Sequence, residues 1–540
     1  MSTEPAPPKT SHAPPDAPQR LPLGALTWRD LAPPVFAVPP VVWILAGGYV
    51  LLHLLTQGTY GIFRDELYYL ACADHLDWGY VDHPPLSILL LWLQRAVFGD
   101  SLLAIRLLPS LAGGLLVWMT AVLARELGGD RFAQGLAALI AATVPQFLGL
   151  TGFYSMNAID LLVWVVTAWW VARIAATGDD RLWLPFGVVA GLGLLNKISV
   201  LFLGTGLVVG LVATPMRRHL RSPRLYQGGG IAALLFAPHV VWQIANGWPT
   251  LEFIDNAKRY KMVALAPMDF LGAQALQMGP ALLPLWLLGL GALFFAPSLR
   301  TFRVLGWIFA TVLTVLIVQH GKPYYLAAAY PILVAAGAVV LARGTSEGAR
   351  RRTRPVLVGY LLLAGAVSAP MAIPILPVER FIAYQQALGL APTAAENSEL
   401  GPLPQHFADR FGWREMTDAV TNVVDALPPE ERASALIVTA NYGEAGALRY
   451  FGRGRNLPPV ASQHNNFFLW GPGVDRGDVV ILVGISPEAE GLGEIYESIE
   501  VAAGFDSPYA MPYETEHPVV VCRGPKIPLA DAWRRGKRFI

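Results

Sequence analysis

The stretch Arg64-Asp65-Glu66-Leu67-Tyr68-Tyr69-Leu70 follows directly on the first long apolar run of the chain, residues 36–57. Two adjacent carboxylates beside a run able to cross a bilayer are costly to desolvate, so polar side chains kept there generally have a task. A span needs about 20 mainly apolar residues. Working outward, such runs recur at 102–124, 133–150, 157–176, 184–197, 198–213, 228–244, 271–296, 304–319, 324–342 and 356–376. The pattern predicts a polytopic α-helical membrane protein with about eleven transmembrane helices. The pair 184–197 and 198–213 meets at Asn196-Lys197 and reads either as two tightly turned helices or as one broken helix.

The composition agrees. Of 540 residues, 54% are hydrophobic and 15% charged, against about 25% charged in a soluble domain. The net charge of +1 gives no global field that would attract nucleic acid. Cys72 and Cys522 are too few for a disulfide framework or a cysteine zinc site, which leaves a single bridge between them open. The first forty residues hold eleven prolines and little apolar periodicity. Residues 1–35 therefore read as a disordered cytoplasmic tail with no cleaved signal peptide.

Short loops rich in Lys and Arg face the cytoplasm. Arg125 and Arg131, then Arg217, Arg218, Arg221 and Arg224, then Arg300 and Arg303, and lastly Arg343 to Arg354 all fall on one side if the N-terminus is inside. The other side then holds the first outer loop, 58–101, the loop 245–270, the junction 319–325 and everything beyond 377. Within the first loop, Pro84–Phe98 is too short for a comfortable span and reads as a helix lying at the membrane surface. Residues 377–540 turn polar, with β-like runs at Ala435–Thr439, Val479–Val483 and Pro518–Val521. They predict a soluble extracytoplasmic α/β domain behind a membrane domain at 36–376.

The candidate chemistry collects on the outer side. Asp65 and Glu66 are the catalytic candidates: on a helix they point about 100° apart, so only one can aim at a shared site, and partial burial and a like-charged neighbour favour a general base. Their alternative is acids favourably placed at a helix N-terminus. Asp82-His83-Pro84-Pro85 offers an acid and a cation near a rigid turn. Read with the acids it also admits a divalent metal, though no ligand spacing is diagnostic. Lys258 and Arg259, with Lys261, put three cations in an outer loop, suited to an anion or to lipid head groups. Lys322, Tyr324 and Tyr325 sit at another outer junction, as phosphate ligands or interfacial anchors. Asn441–Gly446 and Gln463–Pro472 mix amides with aromatics, which suits sugar recognition or plain loop packing.

Asp65-Glu66, Gly79-Tyr80-Val81-Asp82-His83-Pro84-Pro85 and Gly321-Lys322-Pro323-Tyr324-Tyr325, in this order, resemble the membrane glycosyltransferases that use polyprenyl-phosphate sugars. That group includes protein O-mannosyltransferases and the bacterial aminoarabinose transferases of lipopolysaccharide. The resemblance covers about 36–345 and implies a GT-C fold. It makes Asp65 the catalytic aspartate and Arg259, Lys322 and Tyr325 ligands of the lipid phosphate. His83 stands where relatives often carry a lysine. The implied partners are a polyprenyl-phosphate sugar donor and an envelope glycan, lipid or protein acceptor, at the outer face of a bacterial cytoplasmic membrane. No Walker-type motif is present. The rival readings are a polyprenyl-lipid flippase and a glycan-binding membrane protein without chemistry.

Overall fold

The computed structural model describes residues 37–344, 347–394, 396–475, 477–515 and 517–540, so the proline-rich tail lies outside the described residues. Among these, six helices are long and apolar enough to cross a membrane: Leu102–Glu126, Met156–Thr177, Pro223–Ala245, Pro297–Val318, Pro323–Gly344 and Arg352–Ala372. Counting each strongly bent helix pair as one span raises the number to eight. The chain is thus a multi-pass membrane protein, but fewer helices meet the length test than the eleven runs suggested.

The local chemistry explains the difference. The run 133–150 breaks at Val144, in front of Pro145, into Arg131–Thr143 and Pro145–Leu150, because a residue before proline avoids helical geometry. The run 184–213 resolves into two helices, Trp183–Asn196 and Val200–Ala213, separated at Lys197. At 14 residues each, they reach only about 21 Å at 1.5 Å per residue. They also pack on different neighbours, the first on Pro223–Ala245 and the second on Arg303–Val318. Gly187 and Gly228 let the former pair touch backbone to backbone, since a Cβ on Gly187 would fall 2.2 Å from the Gly228 carbonyl oxygen.

The surface helix forms as Leu86–Phe98. It buries Ser87, Ile88, Leu91 and Gln94 and leaves Leu89, Trp92, Leu93, Val97 and Phe98 exposed. An apolar outward face on a helix of 13 residues suits the plane of the membrane better than a crossing.

Beyond Ala372 the chain builds a five-stranded sheet in the order β2-β1-β3-β5-β4. The strands are β1 (Ala435–Thr439), β2 (Val460–Ser462), β3 (Val479–Val483), β4 (Tyr496–Phe505) and β5 (His517–Pro525). β2, β1 and β3 run parallel; β5 is antiparallel to β3 and β4. Alternation along the strands separates two faces. Leu436, Val438, Val480, Leu482, Val520 and Cys522 pack with Trp533 on one. Ile437, Ile481 and Val521 share the other with Leu67, Leu70, Cys72, Ile88 and Ile105 of the membrane part. A single apolar core therefore runs from the loop after the first apolar helix into the sheet, and Pro39–Ile540 form one compact unit. Cys72 and Cys522 are both free and buried. They lie in separate clusters on opposite faces of the sheet, which is why no bridge joins them.

Candidate active site

The helix Arg64–Ala73 positions the first acids. Phe63 enters it extended, and the Glu66 carboxylate reaches back to accept the Phe63 N–H at 2.8 Å. Glu66 is fully buried. Its oxygens also take Arg106 Nε at 2.8 Å, Arg106 Nη2 at 2.6 Å and the Tyr154 N–H at 2.7 Å. With every acceptor site filled, it is an anchor tying the loop to the helix Leu102–Glu126. Of the two candidate acids it is the one turned into the protein. Asp65, about 100° around the helix, keeps its side chain 36% exposed. Its Oδ1 accepts the Tyr442 hydroxyl at 3.0 Å and lies 3.7 Å from Arg64 Nε.

Asp82 and His83 follow in the same loop. The Tyr68 hydroxyl lies 2.9 Å from Asp82 Oδ1 and 3.0 Å from Asn466 Oδ1. Burial raises the Asp82 carboxyl above its ordinary range, against the opposing pull of His83. His83 is stacked on Tyr69, ring centroids 4.7 Å apart, and its Nδ1 lies 3.0 Å from the Pro84 carbonyl oxygen. That bond leaves Nε2 without a hydrogen-bond partner, 3.9 Å from Asp82 Oδ1. Among the described residues no group of three His, Cys, Asp or Glu is placed to hold a metal ion.

The cations converge elsewhere than expected. Residues Ala257–Lys261 form a π-turn, closed by Met262 N–H on the Ala257 carbonyl at 2.8 Å. Its wide winding carries Lys258 and Arg259 into solvent. Lys258 is exposed, and Arg259, 64% exposed, pairs with Asp255 one turn back at 2.8 Å. Lys261 is the one drawn inward. It meets Glu396 at 3.2 Å, Lys322 meets the same carboxylate at 3.0 Å, and Arg64 Nη2 lies 3.7 Å from it. Lys322 gets there because the helix Arg303–Val318 ends in a left-handed turn at His320, φ 52°, followed by extended backbone. Burial pushes the Glu396 carboxyl up, but Lys261, Lys322 and Arg64 together hold it far below the usual range. Burial lowers Lys261; at Lys322 burial also pulls down, but the charge and hydrogen bond of Glu396 together with Tyr325 and Asp65 raise it.

Tyr324 and Tyr325 face Lys197, whose Nζ lies 5.8 Å and 4.9 Å from their ring centroids. Lys197 donates to Asn157 Oδ1 at 2.7 Å and pairs with Asp160 at 3.6 Å. The break between the two short helices thus brings a buried cation under the tyrosines.

The sheet domain closes the site from above. The helix Tyr442–Phe451 is capped by Asn441, whose side chain accepts the Gly443 and Glu444 N–H groups. It crosses the Arg64 helix at Gly446, where a Cβ would stand 2.7 Å from the Leu67 carbonyl. That contact brings Tyr442 to Asp65. Arg64 also pairs with Asp409 at 3.6 Å and hydrogen-bonds Tyr513. Burial lifts Asp409 to about 6 despite the Arg64 charge. Glu396, Asp409 and Tyr513 lay outside every stretch the sequence singled out. Lys261 was marked there only as one of three loop cations, and Tyr442 only as part of Asn441–Gly446.

Comparison with known proteins adds to this geometry. Residues 82–242 match the family model of the dolichyl-phosphate-mannose-protein mannosyltransferases. An undecaprenyl phosphate-α-4-amino-4-deoxy-L-arabinose arabinosyl transferase of Pseudomonas fluorescens Pf0-1 is 26% identical over 176 residues, covering 29% of this chain and 31% of that protein. Its namesake from Pseudomonas aeruginosa UCBPP-PA14 is 31% identical over 163 residues, 29% of each chain. The matched part thus spans about a third of the length of these relatives. The crystal structure of ArnT from Cupriavidus metallidurans bound to undecaprenyl phosphate superposes with a TM-score of 0.58 at 15% identity, covering 88% of this chain and 97% of that one. Its apo form gives 0.59 at 14% identity with the same coverage. The chain has the ArnT-like GT-C fold that the resemblance implied.

Proposed function

We propose that this protein is an inverting glycosyltransferase that moves a sugar from a polyprenyl-phosphate donor to an acceptor at the outer face of the bacterial cytoplasmic membrane. The observation that carries this reading is the pairing of one half-open carboxylate, Asp65, with three converging cations, Lys261, Lys322 and Arg64, at the head of a membrane domain. The sequence matches and the fold support the donor class. The orientation rests on the basic turns, Pro215–Arg221 with three arginines and the turn carrying Arg300 and Arg303, lying on the cytoplasmic side.

In the reaction an acceptor oxygen attacks the anomeric carbon as the bond from that carbon to the phosphate oxygen breaks. A single displacement inverts the configuration. The bond electrons leave on the phosphate, where Lys322 and Lys261 oppose the growing charge. The acceptor proton passes to Asp65, held towards the site by the Tyr442 hydroxyl. Where the acceptor is itself a phosphate no proton needs removal, and Asp65 orients the substrate. Asp82 and Tyr68 suit hydrogen bonds to sugar hydroxyls, and His83 Nε2, unpartnered beside them, provides a further polar contact.

Purified protein incubated with labelled polyprenyl-phosphate pentose or hexose and envelope acceptor fractions tests the reading. Transfer of label to an acceptor, dependent on Asp65, is expected. Movement of the intact lipid across vesicles without transfer would replace the enzyme by a flippase, and binding alone would leave a sensor.

A further inference from the structure

Glu396 stands out among the groups that the proposed reaction does not use. Its carboxylate is met by Lys322 Nζ at 3.0 Å, Lys261 Nζ at 3.2 Å and Arg64 Nη2 at 3.7 Å, with only 15% of the side chain exposed. These are the same cations that the donor phosphate needs. Glu396 is not carried by a helix or strand, because the described residues from Leu390 to Pro404 belong to neither. Among the described residues, Asn397 N–H donates to the Lys261 carbonyl at 3.0 Å and Gln405 N–H to that of Thr393 at 3.0 Å, while Leu400 and Leu403 anchor the far end against Tyr60 and Phe407. A strongly paired acid carried outside any helix or strand is an anion that can yield its place.

We propose that Glu396 is an internal counter-anion that occupies the lysine pair while the donor is absent and competes with the phosphate for it. The inference rests on the glycosyltransferase reading above. It follows from charge. Two lysines left face to face in a half-buried site repel each other and must be neutralised. A donor phosphodiester carries one negative charge, like the carboxylate, and exchanges with it evenly. The lipid monophosphate left after transfer carries up to two and would stay bound, so a competing carboxylate speeds its departure. Glu396 therefore sets the balance between holding the donor and releasing the product.

The test compares wild type, Glu396→Gln and Glu396→Asp, using undecaprenyl phosphate both as a binding probe and as an inhibitor of sugar transfer. Glu396→Gln is expected to bind it about tenfold more tightly, one decade of affinity. Product inhibition should sharpen, and kcat and the donor KM should both fall, while Glu396→Asp should behave like wild type. Equal or weaker binding in Glu396→Gln would overturn the proposal and make the carboxylate a brace for the lysines. Hydrogen exchange on wild type reads the same point without a variant. Undecaprenyl phosphate should speed exchange at Asn397 as its bond to Lys261 is released, whereas slower or unchanged exchange there, with the lipid bound, overturns the inference. If wild type does not bind undecaprenyl phosphate at all, the donor reading falls, and this inference with it.

Discussion

Asp65 and Glu66 are neighbours in sequence with opposite fates. Glu66 spends its oxygens on Arg106, Phe63 and Tyr154, whereas Asp65 retains an open edge. Asp65→Asn should lower kcat by about 10²–10⁴, the usual contribution of a general base, with donor binding retained; initial rates at saturating donor check this. Glu66→Ala leaves Arg106 buried without its partner. It should cost about 3–5 kcal/mol of stability, visible as a large drop in thermal midpoint of the detergent-solubilised protein.

A second contrast at this scale concerns Glu514. It is buried, both its oxygens lack hydrogen-bond partners, and burial beside Asp409 raises its carboxyl well above the ordinary range. A carboxyl raised in the folded state binds its proton more tightly than in the unfolded chain. Its stability contribution is complete below the unfolded value of 4.5 and is lost as pH rises towards the folded value. The thermal midpoint of wild type should therefore fall as pH rises above 4.5, and Glu514→Gln should flatten that slope. An unchanged slope in the variant would show that Glu514 is ionised in the fold.

At the scale of elements, the crossing of the Arg64–Ala73 and Tyr442–Phe451 helices matters most. Gly446 permits it, and the backbone of Leu67 leaves no space for a side chain. Gly446→Val should push the helices apart, costing about 1–3 kcal/mol as an overpacked contact. It should also reduce turnover beyond that of a distant substitution of equal stability cost, because Tyr442 would leave Asp65. Melting curves and rates measured on the same preparations separate the two effects.

This scale also shows what the sequence made legible. β1 and β3 were readable because continuous apolar runs mark strands buried on both faces. β4 was not, since this edge strand exposes most of its residues and is rich in acids and alanine. β2 has only three residues, too few for any pattern. Of the proposed site, Asp65, Asp82 and Lys322 stood out in the sequence because each sits beside an apolar run. Glu396 could not, since it meets Arg64 from more than 300 positions away, and no local periodicity encodes such a meeting. The choice among Lys258, Arg259 and Lys261 hung on a π-turn that residue types alone do not announce.

For the molecule as a whole, the sheet domain and the membrane helices share one core. Leu67, Leu70 and Ile88 pack with Val420, Ile437, Leu448 and Val521. The sheet domain therefore does not hang on a linker, and each part covers apolar surface of the other. A chain ended near residue 376 would expose that face to water and should aggregate on extraction rather than yield a monodisperse membrane domain. Size-exclusion chromatography of full-length and shortened protein in the same detergent checks this.

Both sulfhydryl groups are sealed in separate apolar clusters, neither bonded to the other nor open to solvent. The fold is consequently indifferent to the redox poise on either side of the membrane. It reaches its final form without an oxidase, and reducing agents should leave its melting behaviour untouched.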